Sequence, residues 1–415
     1  QASAIKYFRC LFTENTEPPK YFDQNLIDVF IDIVRDMETP VDVRTDAAWA
    51  ITNLLCSKRT PLTHDILDKG TLDVFVWCIR TADSKLRDQC IWGVGNISAD
   101  CPLCKEAVRS TDALDLIAKQ MNAGEFHTLE SNRCAIWCCL NILRGGHAEL
   151  RPETARALLT AVTAAMLLYE DSNILQDSLL TLSLLADDRN FFLFPHLWPA
   201  QIDAMINEPG LVSTTLLAID TGKPSLVSPA LRLIGNIITG TDDQTERVIM
   251  RDGFVGLICK CIDSSVTQVR REAAWILSNI AAGPAHHVDL ILTNPALIGQ
   301  LLQRLHHDDV RMKKEVSWVF ANVLSSLNTA PRPAQMSEFL GYGVLAIVDF
   351  ATMPGVDTRL VNKIREVLSS LLIVHPEFWR VVEKAGSGST PLLELPRRKK
   401  RVADYVIYDE DAMEI

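Results

Sequence analysis

Aromatic residues are scarce, at 7% of 415 residues, basic side chains are outnumbered, and no apolar run is long enough to cross a bilayer. Each shortage removes a class of function. Lys and Arg number 41 against 52 Asp and Glu, a formal net charge of −11, which disfavours a general nucleic-acid or anionic-membrane binder and favours basic partners. The longest apolar stretch, residues 157–168, sits between Arg156 and Glu170 and falls short of the roughly 18 residues that a span needs. No secretory leader is recognisable. Residues 1–6 read as the middle of an amphipathic helix without an initiator Met, so the start is expected to be a trimmed one.

The eleven cysteines are odd in number and show no framework of spaced pairs, which points to a reducing compartment. Cys101 and Cys104 form the only Cys-x2-Cys pair. The sequence offers neither a second pair nor a suitable His pair to complete a metal site, so no metal and no cofactor is expected. The adjacent Cys138 and Cys139 read as small core-filling residues. His286-His287 and His306-His307 stand without a companion cluster, and no nucleophile motif or phosphate-binding loop is present, so an enzyme is not expected.

What the sequence does have is self-similarity in a chain that is 48% hydrophobic, ample for a buried core. One phrase returns five times: Ala48-Trp49-Ala50-Ile51-Thr52-Asn53, Ile91-Trp92-Gly93-Val94-Gly95-Asn96, Ile136-Trp137-Cys138-Cys139-Leu140-Asn141, Ala274-Trp275-Ile276-Leu277-Ser278-Asn279 and Ser317-Trp318-Val319-Phe320-Ala321-Asn322. Eight Trp and sixteen Asn scattered over 415 residues would meet at that spacing less than once by chance. Successive Trp lie 43 (49 to 92), 45 (92 to 137) and 43 (275 to 318) residues apart, a period of armadillo or HEAT units built of two or three helices. Leu180 with Leu184, and Arg232 with Asn236, fill the degenerate middle of the array.

Each unit ends in an apolar helix after a polar, Gly-containing turn, as Asp252-Gly253 precedes a predicted helix over residues 254–262, and strand-like alternation is weak throughout. An all-α solenoid follows. The span from Leu180 to Arg232 is 52 residues and contains Phe191-Phe192-Leu193-Phe194-Pro195, which predicts a longer loop or an extra turn. The last repeat, around residues 361–372, lacks both Trp and Asn, as a capping repeat does. The organisation is therefore read as an array of about nine repeats over residues 1–384, a flexible Gly/Ser linker over 385–390, and a tail over 391–415. That tail carries a basic cluster at 397–401 and an acidic end.

Trp and Asn four residues apart share one helix face. Aromatics at helical spacing usually pack inside, and an isolated pair would be read that way. Repetition argues otherwise, because Asn is disfavoured in helix interiors and its regular return implies a shared surface task. An Asn amide can clamp the N–H and C=O of an extended peptide whatever its side chains. Parallel indoles form slots for Lys or Arg stems. Stacked helices about 8–10 Å apart meet about three residues of an extended chain per repeat. Three residues before the aromatic position stand Asp46, Gln89, Asp177, Glu272 and Glu315, with Cys134 the exception; Asp100 and Asp187 lie where their helices should end.

The repeats, with the stretch Pro229-Ala230-Leu231-Arg232-Leu233-Ile234-Gly235-Asn236-Ile237-Ile238-Thr239-Gly240-Thr241-Asp242-Asp243-Gln244-Thr245 most specific, resemble the importin-α (karyopherin-α) family over residues 1–383. The resemblance implies a right-handed armadillo-repeat superhelical solenoid and a nuclear import adaptor that shuttles between cytoplasm and nucleus. Its third helices would line a concave groove for nuclear localisation signals. The implied major pocket is Trp49, Asn53, Gln89, Trp92, Asn96, Asp100, Trp137, Asn141 and Asp177, with Asp100 receiving the most critical lysine. The implied minor pocket is Arg232, Asn236, Thr245, Glu272, Trp275, Asn279, Glu315, Trp318 and Asn322. Leu180 and Leu184 replace the family's Trp and Tyr, Ser57 replaces a glycine, and Lys58-Arg59 add positive charge, so cargo preference is expected to diverge. The family's basic N-terminal segment, which recruits importin-β, is absent from this sequence. Arg397, Arg398, Lys399, Lys400 and Arg401 resemble a monopartite nuclear localisation signal. The six-residue linker spans about 13 Å r.m.s., so the tail is expected to occupy its own or a neighbouring groove as fused cargo or a regulatory peptide. The alternative reading is a β-catenin-like armadillo scaffold, whose type favours acidic partners through Lys-rich grooves.

Overall fold

The computed structural model describes residues 2–14, 23–56, 60–145, 150–187, 198–329, 343–344, 347–351, 353 and 355–374. The linker, the tail with Arg397 to Arg401, the Phe191 to Pro195 run and Ser57 to Arg59 lie outside the described residues. Among the described residues every regular element is helical, and no helix is long and apolar enough to cross a membrane. They fall in two compact units, Gln1–Ile291 and Leu292–Ile415.

The first unit opens with α1 (Ala2–Glu14), followed by α2 (Asn25–Arg35) and α3 (Val41–Leu55). Next come α4 (Thr60–Asp68), α5 (Thr71–Thr81) and α6 (Ser84–Asp100), then α7 (Pro102–Arg109), α8 (Ala113–Asn122) and α9 (Leu129–Leu143). The pair α10 (Pro152–Leu168) and α11 (Ser172–Leu185) precedes two further triplets. These are α12 (Trp198–Asn207), α13 (Leu211–Asp220) and α14 (Pro224–Ile237), then α15 (Asp242–Ile249), α16 (Phe254–Ile262) and α17 (Thr267–Ala281). The helix α18 (Ala285–Leu292) extends one residue past the first unit's end at Ile291. In the second unit α19 (Pro295–His307) and α21 (Thr358–Val374) both pack on α20 (Val310–Thr329).

The fold is an all-α solenoid. The last helices of successive repeats, α1, α3, α6, α9, α11, α14 and α17, each pack on the next, and each but α1 also packs on the helix that precedes it in sequence. Apolar side chains such as Phe30, Ile51, Phe75, Ile79 and Ile91 are fully buried between these layers. Burial of the amphipathic faces, rather than intrinsic propensity, holds helices this short.

Local signals set the corners. Gly253 stands just before α16 at φ 79°, a left-handed conformation that a side chain would strain, and Gly70 and Gly210 occupy the same corner before α5 and α13 at φ 80° and 78°. Asp83, Thr128 and Asp171 cap α6, α9 and α11, satisfying amide groups that the first turn leaves open.

Gly95 has a different task. A Cβ built there would lie 2.3 Å from Cζ3 of Trp137, and one at Gly235 would lie 2.1 Å from Cζ3 of Trp275. Each indole thus rests on the backbone of the preceding last helix. Gly95→Ala gains about 1 kcal/mol of helix propensity but forces the ring away, and overpacking costs about 1–3 kcal/mol. Urea unfolding of Gly95→Ala should show a net loss of stability, with Trp137 fluorescence altered; unchanged stability would mean the ring moves freely.

Candidate peptide-binding ladder

The repeated Trp are not core residues. Trp92 is 43% exposed, and Trp49, Trp137 and Trp275 are half-buried, while their helix neighbours Ile51, Ile91, Ile136 and Ile276 are buried. Asn53, Asn96, Asn236 and Asn279 are half-buried, and Asn141 is buried. In the second unit Glu315, Trp318 and Asn322 are half-buried on α20.

The asparagines form rungs. The Nδ2 of Asn53 donates to the Arg9 carbonyl at 3.3 Å and to Thr13 Oγ1 at 2.8 Å. That of Asn96 donates to the Thr52 carbonyl at 3.3 Å, that of Asn141 to the Gly95 carbonyl at 3.5 Å, and that of Asn236 to the Ser183 carbonyl at 2.8 Å. Thr52, Gly95 and Ser183 each stand one residue before the position on the neighbouring helix that corresponds to the donor, namely Asn53, Asn96 and Leu184. The amide nitrogen therefore ties repeat to repeat, and the carbonyl oxygen is the half of the amide open to a peptide N–H. The sequence, read alone, gave both halves to a peptide.

Two guanidinium groups of the chain itself sit on the indoles. Arg9 lies 4.4 Å from the Trp49 ring centroid with its Nε 3.1 Å from Asp46 Oδ1. Arg232 lies 5.0 Å from the Trp275 ring centroid and is paired with Glu272 Oε1. In both cases the carboxylate stands three residues before the Trp, one turn back on the same face. Indole and acid together make a cation slot, worth roughly 0.5–2 kcal/mol per stacked charge depending on desolvation. Arg9 carried no repeat signal of its own.

The other candidate acids differ in setting. Burial pushes the Asp177 carboxyl up, with Arg144 opposing. Glu272 is only 4% exposed; burial pushes its carboxyl up too, against the pull of Arg232. Its Oε2, together with Nε2 of Gln89 and Nδ2 of Asn279, is a buried polar atom without a hydrogen-bond partner among the described residues, an arrangement that costs stability. Thr245 is engaged internally, donating to the Ile238 carbonyl at 2.9 Å. Asp100 accepts from Thr63 Oγ1 at 3.2 Å, and its neighbour Cys101 is held down to about 7 by the Cys104 amide and His64. Burial pushes Cys139 up to about 12 and Cys138 upward as well.

With that geometry in place, the chain can be set beside known proteins. The armadillo/beta-catenin-like repeat family matches residues 241–282, which hold α15, α16 and α17. Importin subunit alpha-1b of Oryza sativa subsp. japonica is 29% identical over 251 residues, 60% of this chain and 44% of that protein. The chain is similar to importin-α subunits and carries an armadillo repeat at residues 241–282. Similar, too, is importin subunit alpha-3 of Arabidopsis thaliana, 30% identical over 204 residues, 49% of this chain and 36% of that one. The chain thus spans less than half the length of these relatives. Among solved structures, the crystal structure of an engineered protein superposes with a TM-score of 0.63 at 18% identity, covering 89% of this chain and 95% of that one, a likeness of fold alone.

Two outcomes follow for the importin-α-like ladder. Arg232→Ala leaves Glu272 buried without its cation, at a cost of roughly 1–3 kcal/mol, below that of a fully buried pair because the arginine is half exposed. The Glu272 carboxyl then titrates higher folded than unfolded, so the variant's stability, intact at acid pH, falls as pH rises through the ordinary carboxylate range. Adding Glu272→Gln should abolish that slope in urea titrations at stepped pH. At neutral pH and in the presence of EDTA, iodoacetamide followed by mass spectrometry should modify Cys101 ahead of Cys56, whose thiol burial pushes up, and should leave Cys138 and Cys139 intact until the chain unfolds.

Proposed function

We propose that this chain is a nuclear import adaptor whose ladder holds an extended Lys/Arg-rich nuclear localisation signal of a cargo protein. The observation that carries the reading is that the ladder already receives cations twice, Arg9 on Trp49 beside Asp46 and Arg232 on Trp275 beside Glu272. A slot that seats an internal guanidinium has the chemistry to seat one from a peptide. The exposed indole of Trp92, the Asn96 carbonyl oxygen and the carboxylate of Asp100 are the groups assigned to the first signal. Trp49, Asn53, Gln89, Trp137, Asn141 and Asp177 extend it on either side. Asn236, Thr245 and Asn279 belong with Arg232, Glu272 and Trp275, and Glu315, Trp318 and Asn322 offer the same pattern on the second unit.

The kinship supports the transport role, since the relatives named above are importin subunits. It carries with it shuttling between cytoplasm and nucleus, and importin-β as the further partner. A scaffold for acidic partners is the weaker reading: the residues one turn before the indoles are Asp46, Gln89, Cys134, Glu272 and Glu315, none of them a lysine.

Fluorescence anisotropy with a labelled peptide of residues 391–415 tests the proposal on the chain ending at residue 384. Binding should weaken steeply with added salt. The Trp92→Ala/Asn96→Ala double variant should lose at least about tenfold in affinity, in keeping with truncation of an aromatic anchor, and Trp275→Ala/Asn279→Ala less. Salt-insensitive binding, or preference for an acidic peptide, would favour the scaffold.

A further inference from the structure

The sequence leaves Cys101 and Cys104 without companions, but the fold supplies two. Helix α4 packs against α6 and carries His64, 37 residues before Cys101, to its side. His64 Nε2 lies 3.4 Å from Cys101 Sγ, and Cys101 Sγ lies 3.3 Å from Cys104 Sγ. Cys104 Sγ is 3.8 Å from Asp100 Oδ2, and one ligand atom from each of the four residues lies within 4.8 Å of every other. Two sulfurs held 2.3 Å from a tetrahedral zinc stand about 3.8 Å apart, and a sulfur and an imidazole nitrogen about 3.5 Å. These three edges differ from those of one tetrahedron by about 0.5 Å or less, and every other pair lies within 4.8 Å.

We propose that His64, Asp100, Cys101 and Cys104 bind a single thiophilic divalent cation of the zinc class. Two sulfurs and an imidazole select such an ion over magnesium or calcium, which prefer oxygen alone. Two thiolates and a carboxylate against a doubly charged ion leave one net negative charge. The ligands come from ordered backbone: Asp100 ends α6, Cys101 caps α7, Cys104 lies in its first turn and His64 is mid-way along α4. Thr63, beside His64, holds the other Asp100 oxygen at 3.2 Å, as hydrogen-bond partners commonly orient metal-bound carboxylates.

A consequence follows that rests on the peptide reading, whereas the metal site does not. Asp100 is also the carboxylate assigned to the critical lysine. A carboxylate bound to the ion has given up much of its charge, so metal and basic peptide oppose one another at this corner.

The test is a cobalt titration of the full chain, reduced with a phosphine and with its thiol titre confirmed. One equivalent of Co2+ should produce the intense ligand-field bands of a tetrahedral site and a sulfur-to-metal charge-transfer band, both erased by Zn2+. Cys101→Ser and His64→Ala should each weaken binding by more than about tenfold with unchanged far-UV circular dichroism, while Cys10→Ser should not. Absence of the bands in fully reduced protein, or their persistence in Cys101→Ser, would overturn the site, and so would a Cys101–Cys104 disulfide that resists reduction. In the peptide assay, zinc should weaken binding to the wild type and leave Cys101→Ser unaffected. Unaltered affinity in zinc-loaded protein showing the cobalt signature would overturn the opposition alone, and failure of the peptide to bind at any zinc level would overturn the peptide reading alone.

Discussion

The hydrogen bond from an asparagine amide nitrogen to a carbonyl on the neighbouring last helix is the constraint on which the ladder depends. It recurs from Asn53, Asn96, Asn141 and Asn236, and each time it fixes one helix against the next at the same level. Where Gly95 and Gly235 precede the next repeat's indole, the ring settles onto bare backbone. Together these contacts set both the pitch and the tilt of the aromatic faces. An isolated repeat has no neighbour to supply the carbonyl or the glycine, so the ladder exists only in the stack.

The same contacts blur the division between architecture and recognition. Asn is often treated as a peptide clamp or as a structural cap, and here one end of the amide ties helices while the other is left over. The indoles likewise divide their surfaces between the preceding helix and a cation slot. Acids such as Glu272 are expensive to bury and are kept in check by Arg232, which makes the slot both occupied and charged in the resting chain. What sits in the slots can therefore change without altering the rungs.

Much of this was legible in the sequence. A Trp-x3-Asn phrase at a period near 43 is a strong signal because two rare residue types must coincide, and the turn at Gly253 followed by an apolar run fixed α16 to the residue. What escaped were features that join residues about 40 positions apart without a repeated pattern. Arg9 on Trp49 and Asp46 leaves no mark in α1, which has neither Trp nor Asn. His64 beside Cys101 joins different helices, and a single histidine in a polar stretch has no spacing to betray it. The glycines were visible as letters, but only the geometry shows that they seat a ring.

The rung from Asn236 spans 53 residues of chain, whereas those from Asn53, Asn96 and Asn141 span 44 to 46. The donor finds the equivalent carbonyl regardless. The longer span between these two last helices thus leaves the rung between them unchanged. Such a scaffold can lengthen its outer connections, and acquire whatever new surfaces they bring, while its inner register stays in phase.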